Sequence, residues 1–486
     1  MKKHLQTLLA CALALGGAAG LRAADSTTYA QIGYTDLVNE LTASGSTVPN
    51  GSGVRVTQSE APVSTTGTGA STVYAYLPDP SLYTGVTITN QSAASYTGTS
   101  SWHADMIGQA IYGNSSMGSG VTNVDLYFWA DWIQTGKLNY GTSSAPKTEA
   151  NDVMNASWVY TTGNATADRN ILNRLDYSIQ RDDYVAVVGI NNHDLGTETQ
   201  QNLLASAYNV ISVGRSDGVH VSGTSTTVNT GVTFPLIVAP VPTTSEATAL
   251  VSGASVFLVS AAQSGTGVAH NTSVNGTKSE SIKAILLAGA TKAQFPGWSN
   301  SASHPLDATY GAGQLNVYNS YHILMAGEQT PSATSSNLVA NTGWDFNTIN
   351  LTSANTISYY LNLTSGGSFS IALTWNALYT AVGGDYTNMT LSLANLDLYL
   401  YTVTSGTVGS LVLSSTSTAD NVEYIWSSSL AAGNYVVQVK NLVSSGTIDY
   451  AVAWQNNGAV PEPGTIALLS LGALALGVAA RSRRRV

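Results

Sequence analysis

Two periodicities divide the chain. As far as about Met325, short apolar runs alternate with segments whose apolar residues recur every three or four positions. Residues 54–58, 153–157, 184–189, 210–213 and 236–238 read as strands. Residues 34–41, 167–180 and the segment after Ser245, where Ala247, Leu250, Val251, Ala254 and Leu258 keep helical spacing, read as helices. Such alternation predicts right-handed βαβ crossovers and a parallel sheet. Beyond Gly327 the helical spacing stops. PSATSSNLVANTG reads as a linker, and period two follows: Leu396, Leu398 and Leu400 face one way, Asp397, Tyr399 and Tyr401 the other. Tyr435, Val437 and Val439 repeat the pattern, and Gly366-Gly367, Gly383-Gly384 and Ala432-Gly433-Asn434 supply turns. An all-β sandwich over residues 338–456 is the prediction.

The two ends read as addresses. Lys2 and Lys3 precede an apolar run that closes on Ala23 and Ala24, the layout of a secretory signal peptide over residues 1–24. The only cysteine, Cys11, lies inside it, so the exported part has no thiol, disulfide or cysteine metal site. The other end reads VPEPGTIALLSLGALALGVAARSRRRV. Through Val460, Pro461, Glu462 and Pro463 it resembles the PEP-CTERM sorting signal, over residues 460–486. That resemblance implies a Gram-negative host, exosortase-type processing, a transient membrane anchor in the tail, and release to the surface or an extracellular matrix; an ordinary C-terminal anchor is the alternative. Seven of the 18 basic residues and one of the 28 acidic ones, Glu462, sit in these two segments, leaving eleven against 27, near −16, which argues against a nucleic-acid partner.

Between the addresses lie four polar residues in suggestive places: Glu60 in SGVRVTQSEA, His103 in SWHADMIGQAIYG, Asn191 in YVAVVGINNHD and Ser245 in TTSEATALVSG. Read singly, Glu60 and Asn191 are turn residues, His103 a helix-start residue, and Ser245 a helix N-cap. Read together, their order and context resemble the subtilisin-like serine peptidases (subtilases) over residues 51–328. NVISVGRSDG, IVAP, SIKAILLAGATKA and YGAGQLNV are similar to that family's downstream segments, and LANLDLYLY, DNVEYIW and AAGNYVVQVKN resemble bacterial pre-peptidase C-terminal domains. The resemblance implies a subtilisin-like parallel sheet flanked by helices, followed by the all-β sandwich. Residues 25–50 form a short leader, shorter than the family's usual pro-domain, and residues 329–337 the linker.

It also implies roles: Ser245 as nucleophile and helix cap, His103 as general acid/base, Glu60 as the carboxylate that orients it, and Asn191 as oxyanion donor. Asn155-Ala156-Ser157-Trp158-Val159 is similar to the family's substrate-binding strand, which offers Ser157, Trp158 and Val159 to a peptide or protein substrate. The chain departs from the pattern where aspartate, His-Gly-Thr and Gly-Thr-Ser-Met are usual. It has Glu60, His103-Ala104-Asp105 and Thr244-Ser245-Glu246 instead, and Glu246 puts a carboxylate beside the oxyanion. No metal site is expected from the sequence. Calcium accompanies the family, and Asp397 and Asp420 are acidic residues open to it, without a loop of EF-hand spacing. Two functions remain open: a secreted serine endopeptidase, or an inactive subtilase-fold surface or extracellular-matrix protein whose sandwich binds polysaccharide or other matrix components.

Overall fold

The computed structural model describes residues 25–458 apart from 68–70, 94, 95, 97, 194–200, 265–273, 354 and 442–445, so the two end segments lie outside it. Helices α1 (Ser26–Gln31) and α2 (Tyr34–Ala43) precede β1 (Arg55–Glu60), the hairpin β2 (Val63–Thr66) and β3 (Val73–Ala75), and β4 (Thr87–Asn90). Next come α3 (Trp102–Tyr112), β5 (Asn123–Phe128), the short turn α4 (Trp129–Asp131) with a π-helical turn Trp132–Gly136, β6 (Val153–Ala156), α5 (Ala165–Asp182), β7 (Val185–Gly189) and β8 (Ile211–Arg215). A small pair, β9 (Gly223–Thr224) and β10 (Thr233–Phe234), leads to β11 (Ile237–Ala239), α6 (Thr244–Ser264), α7 (Ser279–Gly289) and α8 (Val317–Met325).

Seven of these strands form one sheet in the order β11-β8-β7-β6-β1-β5-β4, and its adjacent strands run parallel. A parallel sheet is covered on both faces, so its strands are apolar on both sides. Val153, Val185, Val187, Ile211 and Val213 join the core built by α3, α6 and α7. Met154, Ala156, Ala186 and Val188 pack on Ile171, Leu172, Leu175 and Ile179 of α5. Helix α6 is long and apolar enough to cross a membrane, yet it is buried as the central helix of the first face. It lies against α3 so closely that a Cβ on Gly253 would stand 2.9 Å from the Ala110 carbonyl oxygen. The sequence pattern missed β4 and β5. β4 is an edge strand with little burial, and β5 mixes polar with apolar residues.

Ten antiparallel strands follow: β12 (Thr342–Asn350), β13 (Thr356–Leu363), β14 (Gly367–Trp375), β15 (Leu378–Val382), β16 (Asp385–Ser392), β17 (Leu396–Thr404), β18 (Thr407–Ser415), β19 (Val422–Leu430), β20 (Gly433–Asn441) and β21 (Thr447–Gly458). Two four-stranded sheets, β12-β21-β14-β19 and β13-β20-β17-β18, enclose an apolar core. Alternation serves two partners here. Ile371, Leu373, Val452 and Trp454 point into the sandwich, while the smaller Ala372, Ala451 and Ala453 join the core that contains α7. Every residue of α7 is buried between the two sheet systems. Ser370 Oγ and Thr374 Oγ1 donate to the Ala288 and Glu280 carbonyls at 2.6 and 2.8 Å. The β15–β16 hairpin rests on α5 through Tyr177 and Tyr386, whose ring centroids are 5.0 Å apart.

Candidate active site

Strand β1 is buried from Val56 to its end, although Thr57, Gln58, Ser59 and Glu60 are polar. Buried polar groups need partners, and each has one. Thr57 Oγ1 donates to Glu149 Oε2 at 3.2 Å, and Ser59 Oγ accepts from Trp158 Nε1 at 3.1 Å. Gln58 and Glu60 share the other face, under α3. Ser101 caps that helix by accepting from Ala104 N at 3.1 Å, which fixes His103 in the first turn. His103 Nδ1 and Glu60 Oε2 share a 2.7 Å hydrogen bond. Glu60 is fully buried and His103 is 7% exposed. The second oxygen, Glu60 Oε1, accepts from Gln58 Nε2 at 2.8 Å. Gln58 in turn reaches the Ala104 carbonyl at 3.2 Å and accepts from the Tyr112 hydroxyl. The longer glutamate is thus held at both oxygens, and a proton on His103 Nδ1 leaves the Nε2 lone pair available as a base.

Ser245 is the second residue of α6 and is partly exposed. It is not the cap. Thr243 Oγ1 accepts from Glu246 N at 3.1 Å and donates to Glu246 Oε2 at 3.0 Å, while the Thr243 carbonyl takes the first helical bond, from Ala247 N. This Thr243–Glu246 capping box displaces the expected Ser245 cap, because three consecutive hydroxyl residues compete and the turn out of β11 places the first at the boundary. It also ties the Glu246 carboxylate back toward the helix start. Burial leaves that carboxyl raised, against the hydrogen bonds from Thr243 and, more weakly, His103 and Arg215, which pull it down. Ser245 Oγ donates to the Ser157 carbonyl at 3.3 Å, and Ser157 Oγ donates to the Ser245 carbonyl at 3.1 Å. Among the described residues no hydrogen bond joins Ser245 to His103.

Past the end of β7, the Asn191 carbonyl accepts from Val221 N at 2.9 Å. Its neighbour Asn192, which sequence reasoning passed over, uses Oδ1 to accept from Thr244 N at 2.9 Å, one residue before Ser245. The doublet Asn191-Asn192 was the available signal, and the loop geometry selects which amide meets α6. On β6, Asn155 Nδ2 donates to Ser252 Oγ of α6 at 3.0 Å, and Asn155 Oδ1 lies 3.1 Å from Ser157 Oγ, competing with the Ser245 carbonyl for its one proton. The expected substrate strand separates into unlike residues. Ser157 touches Ser245 and Val159 is partly exposed, but Trp158 belongs to the core and is 6% exposed. Alternation turns Trp158 with Met154 and Ala156 toward the α5 face, where it lies 5.5 Å from Trp129.

Asp397 accepts from Tyr399 at 2.8 Å, and Asp420 accepts from Thr233 N and Oγ1 at 3.0 and 2.7 Å. Among the described residues no three His, Cys, Asp or Glu side chains gather as a metal site. The arrangement therefore offers acid–base chemistry by a carboxylate-held imidazole, near an accessible serine at a helix N-terminus, at the carboxyl edge of a parallel sheet.

Residues 459–485 match the PEP-CTERM protein-sorting motif. No curated protein matches the chain. Among solved structures it is similar to proteases from Pseudoalteromonas arctica, with 13% identity and a TM-score of 0.34 over 57% of this chain and 91% of that one. It is also similar to tripeptidyl peptidase 2, with 13% identity and a TM-score of 0.33 over 74% of this chain and 40% of that one. The carboxyl-terminal motif is that of a protein which an exosortase-type partner sorts to the surface or exterior of a Gram-negative bacterium.

Proposed function

We propose that this is an extracellular, subtilase-like serine endopeptidase, built on residues 51–328 and carried with a β-sandwich over residues 338–456. The observation that carries the reading is the buried 2.7 Å Glu60–His103 hydrogen bond. An ionisable pair with no access to solvent for its carboxylate costs several kcal/mol in desolvation, roughly, and structure alone gives little reason to keep it. In this reading His103 Nε2 takes the proton of Ser245 as Oγ attacks a peptide carbonyl, and returns it to the leaving amine. Glu60 holds the imidazole tautomer and stabilises the imidazolium. The Ser245 N–H, at the positive end of α6, and an amide of the Asn191-Asn192 pair receive the developing oxyanion. Asn192 suits that work because Thr244 N already fixes its Oδ1, which leaves Nδ2 as donor. Water then hydrolyses the acyl-enzyme by the reverse proton path.

A specific observation supports a second reading. The Ser245 hydroxyl is bonded to the Ser157 carbonyl, not to His103, as in a surface protein that keeps the fold without the reaction. Activation requires Oγ to rotate away from β6. Labelling the protein with a fluorophosphonate probe decides between the two: modification at Ser245 that disappears in Ser245→Ala is the expected outcome. A folded wild-type protein that never labels overturns the peptidase reading.

A further inference from the structure

A second site lies where the segment after α7 meets β14 and β19. Lys292 is 7% exposed, and among the described residues no carboxylate pairs with it. Its ammonium donates to the Ala290 carbonyl at 3.1 Å and to the Tyr424 hydroxyl at 2.5 Å. It sits over three aromatic rings: Tyr424 at 4.8 Å, Trp298 at 5.3 Å and Trp426 at 5.6 Å. Burial pulls its pKa down to about 7. Beside it opens a cavity of about 460 Å³, within the range of about 300–1,000 Å³ usual for small-ligand sites. Trp298, held by its indole N–H on the Gly311 carbonyl at 2.9 Å, and Trp426 line this cavity with their rings 5.2 Å apart. Ser368, Ser428 and Asn457 add hydroxyl and amide groups.

Three chemistries meet in that space. Tryptophan faces cover the apolar face of a ring. Hydroxyl and amide side chains exchange hydrogen bonds with ring hydroxyls. A desolvated ammonium without a counter-ion favours one anion. A lone lysine is a point charge suited to a single carboxylate, whereas a phosphate is more often met by several donors. We propose that this cavity binds a carboxylated sugar, the uronic-acid unit of an acidic polysaccharide, with its carboxylate at Lys292 and its pyranose ring against Trp298 and Trp426. The site shares no residue with Glu60, His103 and Ser245, and stands whether or not the protein is a peptidase.

Calorimetric titration of the full-length protein with trigalacturonate tests it, with maltotriose and triglutamate as neutral-sugar and acidic-peptide comparisons. Trigalacturonate is expected to bind at least about tenfold more tightly than either, and to raise the thermal midpoint. Lys292→Met removes the charge and keeps the bulk, so the ligand-free protein stays as stable or gains stability while trigalacturonate affinity falls by about tenfold or more. Trp426→Ala, at the cavity rim, weakens binding with the fold retained. No saturable trigalacturonate binding by the wild-type protein, undiminished binding by a folded Lys292→Met, or equal binding of triglutamate overturns the proposal.

Discussion

The carboxyl edge of the parallel sheet and the seam around α7 both bury ionisable groups, and they treat them in opposite ways. At the edge, Glu60 has a basic partner at one oxygen and an amide donor at the other. At the seam desolvation dominates. Asp176 and Glu280 are pushed up to about 7 and Glu423 to about 9, chiefly by burial, and Lys283 is pulled down to about 8. The seam groups are met mainly by neutral ones: Tyr208 N and Asn209 N on Asp176, Asn376 on Glu280, Ser415 and Ser417 N on Glu423, and the Tyr208 carbonyl on Lys283. Neutral partners pin two surfaces together without demanding charge. Under the peptidase reading, a carboxylate held beside an imidazole near a reachable serine would serve chemistry at a cost to stability.

The comparison is broken most forcefully at Glu60. Under the peptidase reading, Glu60→Gln keeps the shape and removes the charge, so peptidase turnover should fall by about 10⁴-fold, as loss of a triad carboxylate does. A change of less than tenfold in kcat would place Glu60 with the structural groups of the seam. Gln58→Leu comes next. It leaves the buried Tyr112 hydroxyl and Glu60 Oε1 each short of a partner, so unfolding by denaturant should show a loss of about 2–4 kcal/mol, and kcat should fall with KM little changed.

At the seam the expectation is a pH slope. A raised carboxyl pKa means the folded protein keeps protons that the unfolded chain, with carboxylates near 4, has released. That contribution is complete below about pH 4, and is lost as pH rises through about 7 for Asp176 and Glu280 and about 9 for Glu423. Lys283 works the other way, since its penalty is in force below about 8 and is relieved above it. Calorimetric melting of the wild type against Glu423→Gln between pH 6 and 9 isolates one carboxyl, and the variant should lose less stability across that range. Parallel curves would remove Glu423 from the account. The smallest effect is at the entry to α6, where Thr243→Ala removes the cap and should cost about 1 kcal/mol in denaturant unfolding. Ser245→Ala should cost less, because Ser245 caps nothing.

Much of this was visible in the order of residues. Apolar runs marked the central strands, and helical spacing marked α5 and α6, because burial on both faces or along one stripe leaves a strong periodic trace. In the sandwich, alternation marked β17 and β20. The edge strand β4, with little to bury, left no such trace. At the site, the strand-end glutamate and helix-start histidine could be seen as segments. Their support could not, since Tyr112 meets Gln58 across 54 positions.

Local side-chain patterns marked the central strands, α5, α6 and the sorting motif at the carboxyl terminus, because each is read from neighbouring residues. Tertiary structure decided the rest. It made Thr243 rather than Ser245 the cap, turned Trp158 into the core, brought Asn192 to the Thr244 amide, and left Lys292 among aromatic rings with no acid paired to it among the described residues. These outcomes depend on which surfaces meet once the sheets close, and on the desolvation that closure imposes. Neither quantity is carried by neighbouring residues in the chain.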